Sequence, residues 1–285
     1  MQRFIDGEKL MEVCSHYEIS TIFTEYLRQM IDYKIVIIAD DSGSMKTLTS
    51  NNESRWNELY RFVHMIFSVT QIMVNNPLDI YFLNRPSILS VQSLESISNS
   101  FLMDPNGFTP IVPILKHVLQ QPYYGYQGRI IIIATDGEPT DQYNKVNITE
   151  LYHSLMNDRT YNDYITFLAC TDDDNAIGYL NKWDRQIPRV DVVDDYHSEK
   201  KEVLAVQGRR FSFTYGDYVV KTVMGCVVPE LDKLDETRLE VVDGMFKSKD
   251  LLYYTDRHEF LDYNDEVLYS GNSMHYNNEC KCVLL

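Results

Sequence analysis

With 285 residues, 44% of them apolar, the chain can bury one large core or two small ones, and its composition is that of a folded protein. Its 26 Lys and Arg stand against 42 Asp and Glu, and the formal charge of −16 argues against nucleic acid or anionic lipid as the main partner. A cation or a basic surface fits better. Residues 1–20, MQRFIDGEKLMEVCSHYEIS, contain no apolar run of signal-peptide length. No window approaches the roughly 18 apolar residues of a membrane span, so a cytoplasmic protein is expected. The five cysteines, Cys14, Cys170, Cys226, Cys280 and Cys282, form no CxxC pair. That pattern fits a reducing compartment and supplies neither a disulfide framework nor a zinc site.

In chain order, residues 4–31 repeat apolar positions at three and four spacing (Ile19, Ile22, Phe23, Tyr26, Leu27, Met30), which predicts a helical lead-in over at least the second half. Lys34 to Ala39 is a β-branched run without alternation, the pattern of a strand covered on both faces of a parallel sheet. Arg55 to Met73 carries Trp56, Leu59, Val63, Ile66 and Phe67 at helical spacing. A strand is expected over 78–84, then helices over 93–103 and 110–120. A second oily strand, RIIIIATDG, fills 129–137. A helix over 148–157, a strand over 164–172, a helix over 175–183 and a strand over 189–195 continue the alternation. The order predicts an α/β fold with a doubly wound, mostly parallel, Rossmann-like sheet flanked by helices. Residues 211–236 begin polar-aromatic and continue as an apolar helix ending before Pro229, and 237–285 read as a peripheral extension or a partly ordered tail. The expected organisation is a lead-in over 1–31, a main domain over 32–236 and an extension over 237–285.

Both oily runs end in acid, Asp40 and Asp136, at the strand ends where ligands of open parallel sheets bind. A partly desolvated carboxylate is costly unless something offsets its charge. The spacing Asp40-x-Ser42-x-Ser44 puts three oxygens on one turn, with Gly43 expected to allow a backbone angle that a side chain would oppose. An all-oxygen set suits a hard divalent ion such as Mg²⁺ and disfavours zinc. The bland readings are an N-cap for Asp40 and turn residues for the two serines.

These residues resemble those of the von Willebrand factor A domain family with its metal-ion-dependent adhesion site. The family pattern is D-x-S-x-S after the first strand, a later Thr, and an Asp closing the fourth strand. Here those are Asp40, Ser42 and Ser44, then Thr109 in NGFTPI, then Asp136 in IIATDGEPTD. The resemblance spans about residues 30–230, and DDSGSM, RWNEL, DIYFLN and YGDYVVK look closest to cytosolic members from fungi and other microbial eukaryotes. It implies that Ser42, Ser44 and Thr109 offer hydroxyls to Mg²⁺ or Mn²⁺, with Asp40 and Asp136 binding directly or through water. It also implies a protein partner whose Asp or Glu completes the coordination, and a last helix, near 213–228, that shifts on binding. Asp41 departs from the often apolar x position, either strengthening cation binding or standing solvated.

The expectation is therefore a metal-dependent binding module rather than an enzyme. The alternative is a Mg²⁺-dependent hydrolase, but Ser42 stands where the second Asp of a phosphatase D-x-D belongs, and no phosphate-binding glycine loop occurs. Asp172 to Asp174, and likewise Asp194 and Asp195, read as helix starts rather than a second metal site. The terminal Cys282-Val283-Leu284-Leu285 matches a prenylation signal of the geranylgeranyl type. One lipid gives only reversible membrane binding, and Cys280 is placed to carry a second, so a membrane-tethered scaffold is a further expectation.

Overall fold

The two oily runs pair with each other. Strand β2 (Tyr33–Ala39) lies parallel to β5 (Gly128–Thr135), in register from Tyr33 opposite Gly128 to Ala39 opposite Ala134. The computed structural model describes residues 3–49, 52–171 and 177–248, and the first compact unit ends at Phe246. Asp172 to Asp174, Cys280 and Cys282 lie outside the described residues.

Strands β4 (Asp79–Phe82), β6 (Asp163–Ala169) and β7 (Val190–Val193) complete a parallel sheet of five strands in the order β4-β2-β5-β6-β7. The chain leaves β2 toward β4 and leaves β5 toward β6, so the connections diverge between these two central strands. That divergence opens a crevice at their carboxyl ends.

Alternate side chains divide the core into two layers. Ile35, Ile37, Ile80, Ile130 and Ile132 face one layer, while Val36, Ile38, Tyr81, Ile131 and Ile133 face the other. The first layer is closed by α2 (Thr21–Gln29), α3 (Arg55–Thr70), α4 (Leu94–Phe101) and α9 (Tyr215–Met224). The second is closed by α5 (Ile111–Leu119), α6 (Ile148–Asn157) and α7 (Leu180–Gln186). The run Ile130 to Ile133 is wholly buried, and each such side chain contributes roughly 1.5–3 kcal/mol of transfer free energy. This is the doubly wound α/β architecture expected from the sequence.

Several local features depart from the expectations, among them the helix expected over 175–183, which is found as Leu180–Gln186. The lead-in is two helices, α1 (Gly7–His16) and α2, separated by a break at Glu18, whose φ is +55°. Helix α3 ends at Thr70 because Met73–Val74 (β3) turns away to pair antiparallel with Phe4–Ile5 (β1). Helix α8 (Tyr196–Gln207) follows β7 and begins where Asp194 and Asp195 read as a helix start, Asp195 being the N-cap that accepts from His197 N–H at 2.8 Å, but its body was not expected. The last long helix is shorter than 213–228: a Thr214/Asp217 capping box opens it and it ends at Met224. A short helix, α10 (Pro229–Asp232), and a hairpin of β8 (Glu240–Val242) and β9 (Met245–Lys247) follow. The Phe246 ring packs 5.5 Å from that of Phe23. Among the described residues no helix is long and apolar enough to cross a membrane, and Cys14, Cys170 and Cys226 are free thiols.

Arg129, 1% exposed, ties three elements together at the start of β5. Its Nε donates to Asp163 Oδ1 at 2.9 Å, and its Nη atoms donate to the carbonyls of Val118, Leu119 and Gln121, which close α5. A guanidinium suits this place because one planar fork serves a carboxylate and a helix end together. Truncating one partner of a buried ion pair costs about 3–5 kcal/mol, since the other charge is stranded. Arg129→Met should lower unfolding free energy by that amount in urea titrations monitored by circular dichroism.

Candidate metal centre

The β2–β5 register builds the centre. The ladder continues one residue past Ala39, with Asp40 N–H donating to Ala134 O at 2.9 Å. Asp40 thereby stands beside Thr135, whose hydroxyl donates to Asp40 Oδ2 at 2.7 Å, while Ser42 N–H donates to Oδ1 at 2.8 Å. The Ser42 and Ser44 hydroxyls are 3.0 Å apart, and Ser44 donates to Asp136 Oδ1 at 2.7 Å. Asp40, Ser42 and Asp136 are buried, and Ser44 is exposed at the mouth. Four of the five expected donors thus form one hydrogen-bonded group.

Thr109 arrives on a separate loop that the backbone clamps on both sides. Gly43 N–H donates to Gly107 O at 3.2 Å, and Asn106 N–H to Asp41 O at 2.7 Å. On the other side Thr109 N–H donates to Thr140 Oγ1 at 3.0 Å, and Thr140 N–H returns to Thr109 O at 2.9 Å. The glycine this arrangement requires is Gly107, not Gly43. Gly107 has φ +122°, and a Cβ there would meet Asn84 Oδ1 at 2.4 Å. Gly43 lies in the 3-10 turn Gly43–Lys46, has no positive φ, and open space surrounds the position of its Cβ. The turn is set by the Asp40–Ser42 bond and the flanking serines instead.

Asp41 is neither solvated nor turned into the cluster. Its Oδ2 accepts from Arg85 Nε at 2.6 Å and its Oδ1 accepts from Asn84 N–H at 2.8 Å. The same guanidinium donates to Ser100 O and Met103 O at 2.6 and 3.1 Å, with its Cζ 4.9 Å from the Trp56 ring centroid. Asp41 is therefore an anchor for the loop after α4.

Arg55, the first residue of α3, occupies the second oxygen of Asp136 through Nη1 at 2.8 Å and donates to Thr171 through Nη2 at 2.6 Å. Asp40 has no such counter-charge: both of its oxygens are met by neutral donors. Burial, and then the nearby Asp136 carboxylate, push its pKa up to about 7. The donor set is entirely oxygen, it carries one uncompensated buried carboxylate, and its mouth is open at Ser44. Such a set fits a hard divalent cation and offers nothing to a soft one.

Thr135, Arg55, Thr140 and Arg85 were not singled out in the sequence. Thr135 was accessible there, because aligning the ends of the two oily runs places it opposite Asp40. The other three depend on loops whose paths no local pattern specifies. No protein-family model matches the chain, and no curated protein matches it.

The raised pKa has a direct consequence for the metal-free protein. A carboxyl with folded pKa about 7 against the ordinary 3.8 favours folding while protonated. That contribution is fully present below pH 4 and lost as pH rises through 7. It is worth at most about 4 kcal/mol. In chelator, Asp40→Asn should therefore be more stable than the parent at pH 8, and the difference should shrink toward pH 5 in urea midpoints measured across that range.

Proposed function

We propose that this chain is a metal-dependent protein-binding module of the von Willebrand factor A type. In this reading Ser42, Ser44 and Thr109 offer hydroxyls to one Mg²⁺ or Mn²⁺, and Asp40 and Asp136 bind it directly or through water. The observation that carries the reading is the wholly buried Asp40, set beside Asp136 and supplied only with neutral donors. A bound cation offsets that charge and presents a Lewis-acidic position to a carboxylate from a partner. Arg55 holds Asp136 so that its other oxygen faces Ser44, which positions the acid and moderates the negative charge of the set.

The surroundings favour a protein partner over a small substrate. Leu48, Leu102, Met103, Phe108, Tyr143 and Val146 are all exposed, and all lie on the loops that carry or flank the donors. Large exposed apolar side chains on loops that also carry polar ligand groups are characteristic of a protein-binding surface. The acidic composition of the chain fits the same arrangement, because a cation is what makes an acidic partner residue acceptable here.

Titration of the full chain with Mn²⁺ should show one site at these residues, weakened at least tenfold in Thr109→Ala. Peptides selected from a random display library on the Mg²⁺-loaded protein should contain Asp or Glu and release in chelator. Selected peptides that lack an acid, or that stay bound in excess chelator, would contradict the assignment.

A further inference from the structure

A second convergence of acids lies two strands from β5, at the β7 edge of the sheet. Five carboxylates gather there around one lysine. Lys221 of α9 is 1% exposed, and its Nζ lies 2.8 Å from Glu199 Oε1 on α8 and 3.8 Å from Asp235 Oδ1. Burial opposes its charge, but Glu199, Asp191 and Asp235 more than offset that and raise its pKa. The ammonium thus pairs directly with Glu199 and Asp235, and its charge also favours the ionised form of Asp191.

The remaining three acids come from three elements: Asp184 on α7, Asp191 on β7 and Asp232 on α10. One oxygen from each lies within 4.8 Å of the other two. Asp191 is 2% exposed, and its Oδ2 is buried without a hydrogen-bond partner. An orphaned carboxylate oxygen in such a place is costly and marks a missing partner. Gly225 leaves room for it, since a Cβ there would stand 2.0 Å from Asp191 Oδ2. Asp184 and Asp232 are only partly buried, so the group is reached from solvent on their side.

We propose that Asp184, Asp191 and Asp232 form a second cation site, of the Ca²⁺ class, separate from the strand-end centre. Oxygen ligands at about 2.3–2.6 Å from Ca²⁺ stand up to roughly 5 Å apart across the ion, which the observed spacing accommodates, and water completes the shell on the open side. The ion would fasten the edge strand β7 to α7 and α10 and offset the negative charge that a single lysine leaves among five carboxylates. The competing explanation is a shared proton, because Asp191 and Asp232 are close enough to be joined by one. Burial raises all three pKa values, that of Asp184 to about 6.

The two explanations separate in a Ca²⁺ titration of full-length Thr109→Ala, in which the strand-end centre is weakened. Calorimetry should show one Ca²⁺ bound, with proton release seen as a heat that depends on the buffer. The thermal unfolding midpoint should rise by several degrees in excess Ca²⁺. Asp232→Asn, a change at a partly exposed position, should weaken the binding at least tenfold and abolish the midpoint rise, and Asp184→Asn should do the same. Absence of Ca²⁺ heat in Thr109→Ala, or binding unchanged in both Asn variants, overturns the site and leaves a proton-sharing cluster. Loss of Mn²⁺ binding at Thr109 has no bearing on this result, so the two assignments fail independently.

Discussion

The centre of this molecule depends on the register between β2 and β5. Ala39 lies opposite Ala134, the next backbone hydrogen bond runs from Asp40 to Ala134, and two carboxylates therefore emerge side by side at the switch point of the sheet. Side chains alternate faces along a strand, so a slip of one residue would exchange the two core layers and separate Asp40 from Thr135. Ser42, Ser44, Thr135 and Arg55 then serve as local responses to one problem, namely holding negative charge where water is largely excluded.

Asp40 and Asp41 show how strongly surroundings decide the role of a side chain. They are adjacent and equally buried. Asp41 meets a guanidinium that is itself stacked on aromatic rings and bonded to loop carbonyls, so it is a structural anchor. Asp40 meets only a hydroxyl and an amide, so its charge remains to be offset. A related imbalance recurs at the far edge, where Lys221 pairs with Glu199 and Asp235 and favours ionised Asp191, yet Asp191 Oδ2 accepts no hydrogen bond.

Much of the architecture was legible because long apolar runs and periodic helices are local signals. The helix over 148–157 has those same bounds in the structure, and both oily strands lie where their runs predicted. The start of helix α8 was legible in Asp194 and Asp195 but its body was not: in YHSEKKEVLAVQ only Glu199 and Val203 are buried, so no apolar stripe announces it. The break between α1 and α2 was also hidden, because Glu18 takes a left-handed backbone angle for which the sequence holds no glycine. At the centre, the D-x-S-x-S spacing and the acid after the fifth strand were visible. The conformational burden assigned to Gly43 was misplaced, since Gly107 on another loop carries it.

By itself the sequence determined the five strands of the main sheet, most of the helices, the parallel character of that sheet and the oxygen-rich character of its strand ends, because these follow from the period and composition of short segments. Only the tertiary structure decided which acid is neutralised by which base. It turned Asp41 toward Arg85, gave Arg55 to Asp136, left Asp40 with neutral donors and gathered three aspartates at the far edge. Charge compensation depends on residues far apart in the chain meeting at hydrogen-bonding distance, and no local pattern encodes that distance.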